Sequence, residues 1–189
     1  MSSTPRKVAV VVGSLRKDSL SRKLALAMMA IAPASMALEI AEIGALPLYN
    51  QDDDAAPPAA SVAFKQRIAD ADAVIFVTPE YNRSVPGVLK NAIDIASRPH
   101  GKSAWDGKPA LVVSLSPGAM GGFGAHHHLR QSLVFLNMPT LQQPAAYIGG
   151  AGDLFDESGA IKKPDTKLFV EKMLAAFAQW IEKTGKVAD

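Results

Sequence analysis

Short runs of β-branched and apolar residues recur along the chain, and each is separated from the next by a longer stretch with a helical period. The runs span residues 8–12, 37–43, 73–77, 109–115 and 139–148. The first, third and fourth are almost wholly apolar, as expected for strands buried on both faces of a parallel sheet. The second alternates and carries Glu39 and Glu42, which suits an edge strand with one wetter face. Between the runs, apolar residues return at intervals of three and four. One stripe is Leu20, Leu24, Ala27, Met28 and Ile31, stopped by Pro33; another is Val88, Leu89, Ala92, Ile93 and Ala96, with Pro86 suited to the first helical turn. Leu129, Leu133 and Leu136 form a third, and Phe169, Met173, Phe177, Trp180 and Ile181 form the last, ended by Gly185. A shorter helix is expected over residues 60–70. Strands alternating with helices imply right-handed βαβ units. Five strands predict a doubly wound five-stranded parallel sheet of order 2-1-3-4-5, with helices on both faces.

A chain of 189 residues is long enough for one domain with its own core. Residues 1–189 are therefore expected to form a single domain, with 1–6 as a disordered tail. The chain has no cysteine, which excludes disulfides, thiolate metal sites and a cysteine nucleophile. A net charge of +2 points to neither a nucleic-acid nor a membrane partner. No apolar run reaches the roughly 20 residues a bilayer requires. The N-terminus lacks the apolar core of a signal peptide, so a cytoplasmic location is expected. Residues 50–60 read as a long loop, either inert or a lid, and residues 149–164 as a second loop.

In an open α/β sheet, ligands sit beyond the carboxyl ends of the strands where strand order reverses. That directs attention to the ends of the first, third and fourth strands. The first reads GSLRKDSLS over residues 13–21. It places the hydroxyls of Ser14, Ser19 and Ser21 and the forked cation of Arg16 at a helix start. That set binds phosphate, and it also serves a plain capped helix. The dipole contributes only about 0.3–1 kcal/mol, so Arg16 and the hydroxyls must supply much of any affinity. The third end, TPEYNRSVPGVLKNAID over residues 78–94, is a loop stiffened by Pro79 and Pro86. It can hold backbone amides against a flat heteroaromatic ring or simply make a turn. The fourth carries Ser116, Gly118, Gly121, Gly122 and Gly124, a loop that permits close backbone approach.

Together, GSLRKDS (13–19), PEYNRSVPGVLKNAID (79–94) and Gly118 to Gly122 with Leu129, Arg130 and Gln131 resemble the NAD(P)H-dependent FMN reductase family. The nearest branch is that of the NAD(P)H:quinone or chromate reductases. The resemblance implies a flavodoxin-like fold and an FMN phosphate held by Ser14, Arg16, Ser19 and Ser21, with Leu15 between them. It implies an isoalloxazine edge met by Pro79, Glu80, Tyr81 and Asn82, with Ser116 and Gly118 nearby. NADPH or NADH would be the co-substrate in a ping-pong mechanism. The small-molecule acceptor would be a quinone, free flavin, an azo compound or an oxyanion such as chromate. The flavin carries the chemistry, so no catalytic acid is named. Arg83, Ser84 and His126 are candidates to line the acceptor pocket and Tyr81 to wall it; Tyr81 and Arg83 read also as scaffold or surface, and His126 as part of an interface. Self-association as a dimer or tetramer is implied, with the helix from Gly87 to Ala96 across the interface.

Three positions depart from the family pattern. Ser21 stands where Asn is usual, and Gly124 and His126 replace an Arg and a Gln. No metal site is expected at His126, His127 and His128, because successive helical residues fan out by about 100°. Two other classes compete: a passive flavodoxin-like electron carrier, which the basic composition disfavours, and a non-catalytic flavin-binding module, which the paired GSLR and PEYN segments disfavour.

Overall fold

The computed structural model describes residues 4–185. Its strands are β1 (Arg6–Val12), β2 (Met36–Ile40), β3 (Ala73–Thr78), β4 (Ala110–Leu115) and β5 (Ala146–Ile148). They form one parallel sheet in the order β2-β1-β3-β4-β5, the flavodoxin-like doubly wound arrangement. Its helices are α1 (Leu20–Ile31), α2 (Ala59–Ala69), α3 (Gly87–Ser97), α4 (Phe123–Phe135) and α5 (Pro164–Thr184).

Side chains alternate across a strand, and here both faces are apolar. Val10, Ile75 and Leu111 pack against α1 and α5, while Val11, Val74 and Phe76 pack against α2, α3 and α4. Trp105 anchors the second face. It is fully buried, its ring lies 6.2 Å from Phe64 and 5.6 Å from Phe76, and its indole N–H donates to the Ile93 carbonyl at 2.9 Å. The register pairs Val12 with Val77 and Thr78 with Ser114. The carboxyl ends of β1, β3 and β4 therefore lie side by side. No helix among the described residues is long and apolar enough to cross a membrane.

Several boundaries differ from the sequence expectation. Arg6 belongs to β1 rather than to a tail; its amide donates to the Ser35 carbonyl at 2.8 Å, and its guanidinium meets Glu182 of α5 at 2.9 Å. Residues 1–3 of the expected tail lie outside the described residues. The second strand stops at Ile40. Ala41 still donates to Val10 at 2.9 Å, but Glu42 turns outward to Arg22 at 2.6 Å. The run at 139–148 yields a strand of only three residues, Ala146–Ile148. Pro139 and Pro144 cannot donate to a ladder, so Thr140 makes an isolated bridge with Ala110 before pairing resumes. The loop at 50–60 holds a 3-10 turn at Gln51–Ala55. Pro86 stands just before the first turn of α3, at its N-cap position, and makes no side-chain cap.

Candidate functional site

Three loops leave the adjacent ends of β1, β3 and β4. In the first, Gly13 still donates to the Val77 carbonyl at 2.9 Å, so the chain departs at Ser14. Ser19 caps α1: its Oγ accepts the Arg22 amide at 3.1 Å, a contact worth about 1 kcal/mol. Ser19 and Ser21 are buried, whereas Leu15, Arg16, Lys17 and Asp18 are exposed. The Arg16 guanidinium makes no ion pair among the described residues. The amides of Leu15, Lys17 and Asp18 have no acceptor there either. An uncommitted forked cation, hydroxyls and free amides at a helix start are the donor set that fits an organic phosphate.

The second loop is a hairpin. Thr78 is fully buried, and its hydroxyl donates to the Pro79 carbonyl at 2.7 Å. Tyr81 and Ser84 exchange amide bonds of 3.1 and 2.9 Å. Between them, Asn82 and Arg83 both take left-handed conformations, with φ of 50° and 61°, the pattern of a type I′ turn. Asn82 was a legible candidate for that region, but Arg83 was not. Tyr81 is half exposed, and the amides of Glu80, Asn82 and Arg83 have no partner among the described residues. These groups fit the edge of a flat polar ring. The Glu80 side chain is committed elsewhere. Its Oε2 accepts the Ala125 amide of α4 at 3.0 Å, and its Oε1 accepts from the Arg83 guanidinium at 3.2 Å. The Glu80 carboxylate is held by α4 and Arg83, while its backbone amide is open to a ligand.

The third loop runs from Ser116 to Gly122. The Ser116 hydroxyl donates to the Gly118 carbonyl at 3.0 Å. Gly121 has φ of 59°, and a Cβ there would lie 2.5 Å from the Tyr147 carbonyl carbon. The loop therefore rides directly on β5. Gly124 has an equally physical reason to replace a longer residue: a Cβ would lie 2.6 Å from the Arg83 carbonyl oxygen.

The three histidines diverge on α4. His128 Nδ1 meets the Ser84 hydroxyl at 3.0 Å, and His127 Nε2 meets the Tyr147 hydroxyl at 3.2 Å. His126 points inward, is 1% exposed, and stacks edge-on to Tyr147 at 4.5 Å. Neither of its ring nitrogens has a hydrogen-bond partner among the described residues. Burial first, then the charges of Arg130 and His127, push its pKa down to about 3, and only the neighbouring Ala146 backbone acts weakly the other way. His126 thus lies in the interior beneath Tyr147 rather than on the open face of the loops. Ser84 and Arg83 remain at the hairpin.

A cavity of about 300 Å³ lies elsewhere, between α2, α3 and residues 47–58. It contains none of the three loops' residues. Asn91 of α3 holds its outer strap, accepting the Tyr49 amide at 2.8 Å and donating to the Pro47 carbonyl at 2.8 Å.

The family model of the NADPH-dependent FMN reductases matches residues 6–153. The chain belongs to that family. It is an oxidoreductase that uses FMN as cofactor and NAD(P)H as co-substrate. A quinone reductase of Pseudomonas putida is 61% identical over 93% of this chain and 94% of that protein. A 2-hydroxy-1,4-benzoquinone reductase of a Burkholderia species is 46% identical over 93% of this chain and 96% of its own. Among solved structures, the flavoenzyme NAD(P)H:(acceptor) oxidoreductase FerB of Paracoccus denitrificans superposes with a TM-score of 0.91. It is 41% identical, and the match covers 96% of this chain and 100% of FerB.

Proposed function

We propose that this flavoenzyme reduces quinones with NAD(P)H, both substrates using one pocket in turn. Bound FMN supplies the two-electron redox chemistry; the chain supplies position and electrostatics. The observation that carries the reading is the uncommitted Arg16 before the capped start of α1, on a loop next to a hairpin whose Glu80, Asn82 and Arg83 amides have no partner among the described residues. Ser14, Arg16, Ser19 and Ser21, with Leu15, would hold the phosphate. The Pro79–Asn82 backbone, Ser116 and Gly118 would meet the ring. Tyr81 would wall the pocket. Arg83, whose side chain is 76% exposed, retains donors for an anionic acceptor or a nucleotide phosphate. A quinone acceptor follows the names of the two relatives above; free flavin, azo compounds and chromate are further acceptors of the same class of chemistry.

The same reading places the enzyme in the cytoplasm as one domain that self-associates as a dimer or tetramer through α3. Light scattering of the purified protein tests the assembly. The activity test is direct. The purified protein should be yellow and should oxidise NADPH when a p-benzoquinone is added, with parallel double-reciprocal plots. A yellow protein that leaves NADPH untouched would make it a carrier, and intersecting plots would end the shared-pocket mechanism.

A further inference from the structure

We propose that Glu80 is a positioning residue whose carboxylate serves as the missing N-terminal cap of α4, locking the loops after β3 and β4 into one arrangement around the flavin. The inference rests on the placement of FMN across these loops. A helix start leaves amides without partners, and an N-cap side chain normally takes one of them. At α4 the capping position is Gly122, with φ of 78° and no side chain to offer. Glu80 supplies the acceptor from 45 residues earlier in the chain, binding the Ala125 amide at 3.0 Å. A carboxylate at this end of a helix also meets the favourable end of its dipole.

Two further contacts join the same pair of elements. Gly124 lets the Arg83 carbonyl approach so closely that a Cβ would stand 2.6 Å from it. Ser84 meets His128 one turn further on, at 3.0 Å. The hairpin is therefore seated on the first turns of α4, and α4 begins where the Gly118–Gly122 loop ends. Neither loop can shift at the ligand edge without the other. The exposed Arg83 partner of Glu80 contributes little by comparison, so hydrogen bonding to Ala125, rather than charge, is the working part.

The test compares Glu80→Ala, Glu80→Gln, Gly124→Ala and the Glu80→Ala/Gly124→Ala double variant. Amide exchange at Ala125 is read in the apoprotein, FMN affinity by quenching of flavin fluorescence, and the bound flavin by its absorption spectrum and midpoint potential. Glu80→Ala should speed Ala125 exchange and weaken FMN binding by about tenfold, the loss expected of one cap, with a shifted flavin spectrum. Glu80→Gln, which keeps an acceptor oxygen, should restore all three. The double variant should be no worse than the poorer single, because both changes break one contact surface. Native FMN affinity and spectrum in Glu80→Ala would overturn the proposal, as would a Gln variant as impaired as Ala. Arg16→Ala serves as the separate control. Undiminished FMN binding there would sink the placement of the flavin, while the apoprotein exchange result would still report on the Glu80 cap.

Discussion

Ser19 Oγ accepts the Arg22 amide at 3.1 Å, so the hydroxyl proposed to hold the phosphate also caps α1. The two roles separate by substitution. Ser19→Ala should cost the apoprotein about 1 kcal/mol and weaken FMN binding as well. Ser19→Asp keeps a good cap, so apoprotein stability in urea should stay within about 0.5 kcal/mol of native. Its carboxylate would repel a phosphate, and FMN affinity should fall at least tenfold. An Asp variant that binds FMN as native would remove Ser19 from the site.

Arg16 provides a cleaner separation. Its guanidinium is exposed and makes no ion pair among the described residues, so Arg16→Ala should leave apoprotein melting nearly unchanged. Flavin titration should show a loss of roughly tenfold or more, the scale of a charge-assisted contact. His127→Ala, on the outer face of α4, should leave FMN affinity unchanged. Equal losses for the two variants would contradict the site map.

His126 should make the fold sensitive to acid. Its pKa is held at about 3 when folded, against about 6.5 when unfolded. The unfolded chain then binds the extra proton. The neutral ring's full stability is present above about pH 6.5 and is lost as pH falls towards about 3, with a slope of at most about 1.4 kcal/mol per pH unit. Urea unfolding between about pH 7 and pH 4 should show that slope, and His126→Phe should flatten it. An unchanged slope in the variant would place the sensitivity elsewhere.

Gly121→Ala is expected to be among the most damaging small changes. A Cβ would meet the Tyr147 backbone at 2.5 Å and the position has positive φ, two penalties that together cost roughly 2 kcal/mol or more. Thermal melts of the apoprotein should show the loss directly. A native melting temperature would mean that the loop moves aside freely.

Much of this architecture is legible because its signals are local. Val8, Val10 and Ile75 announce doubly buried strands, and the Leu24 and Met28 stripe announces the helix over them. The GSLR and PEYN segments point to loops that do lie side by side. What escaped depends on distant partners. Glu80 reads only as part of a loop that meets a ring edge, and nothing local announces that its carboxylate reaches α4 once β3 and β4 pair; the only local hint is that Gly122 offers no cap. Arg83 in a left-handed turn is held by the Tyr81–Ser84 pairing, not by its own preference. Trp105 stands alone in a polar stretch, and nothing nearby announces that it fills the space between Phe64 and Phe76. The closing strand shrank because Pro139 and Pro144 override a β-rich composition.

The hydroxyls and Arg16 come from before residue 22, the hairpin from residues near 80 and the glycine loop from residues near 120. The proposed cradle draws on no contiguous half of the polypeptide, so a nicked or partly opened chain should release its yellow colour before it loses its helices. A ligand that recognises only the finished arrangement stabilises it in proportion to the logarithm of its own concentration. In a cell short of riboflavin, the lifetime of this enzyme against proteases should fall along with its activity.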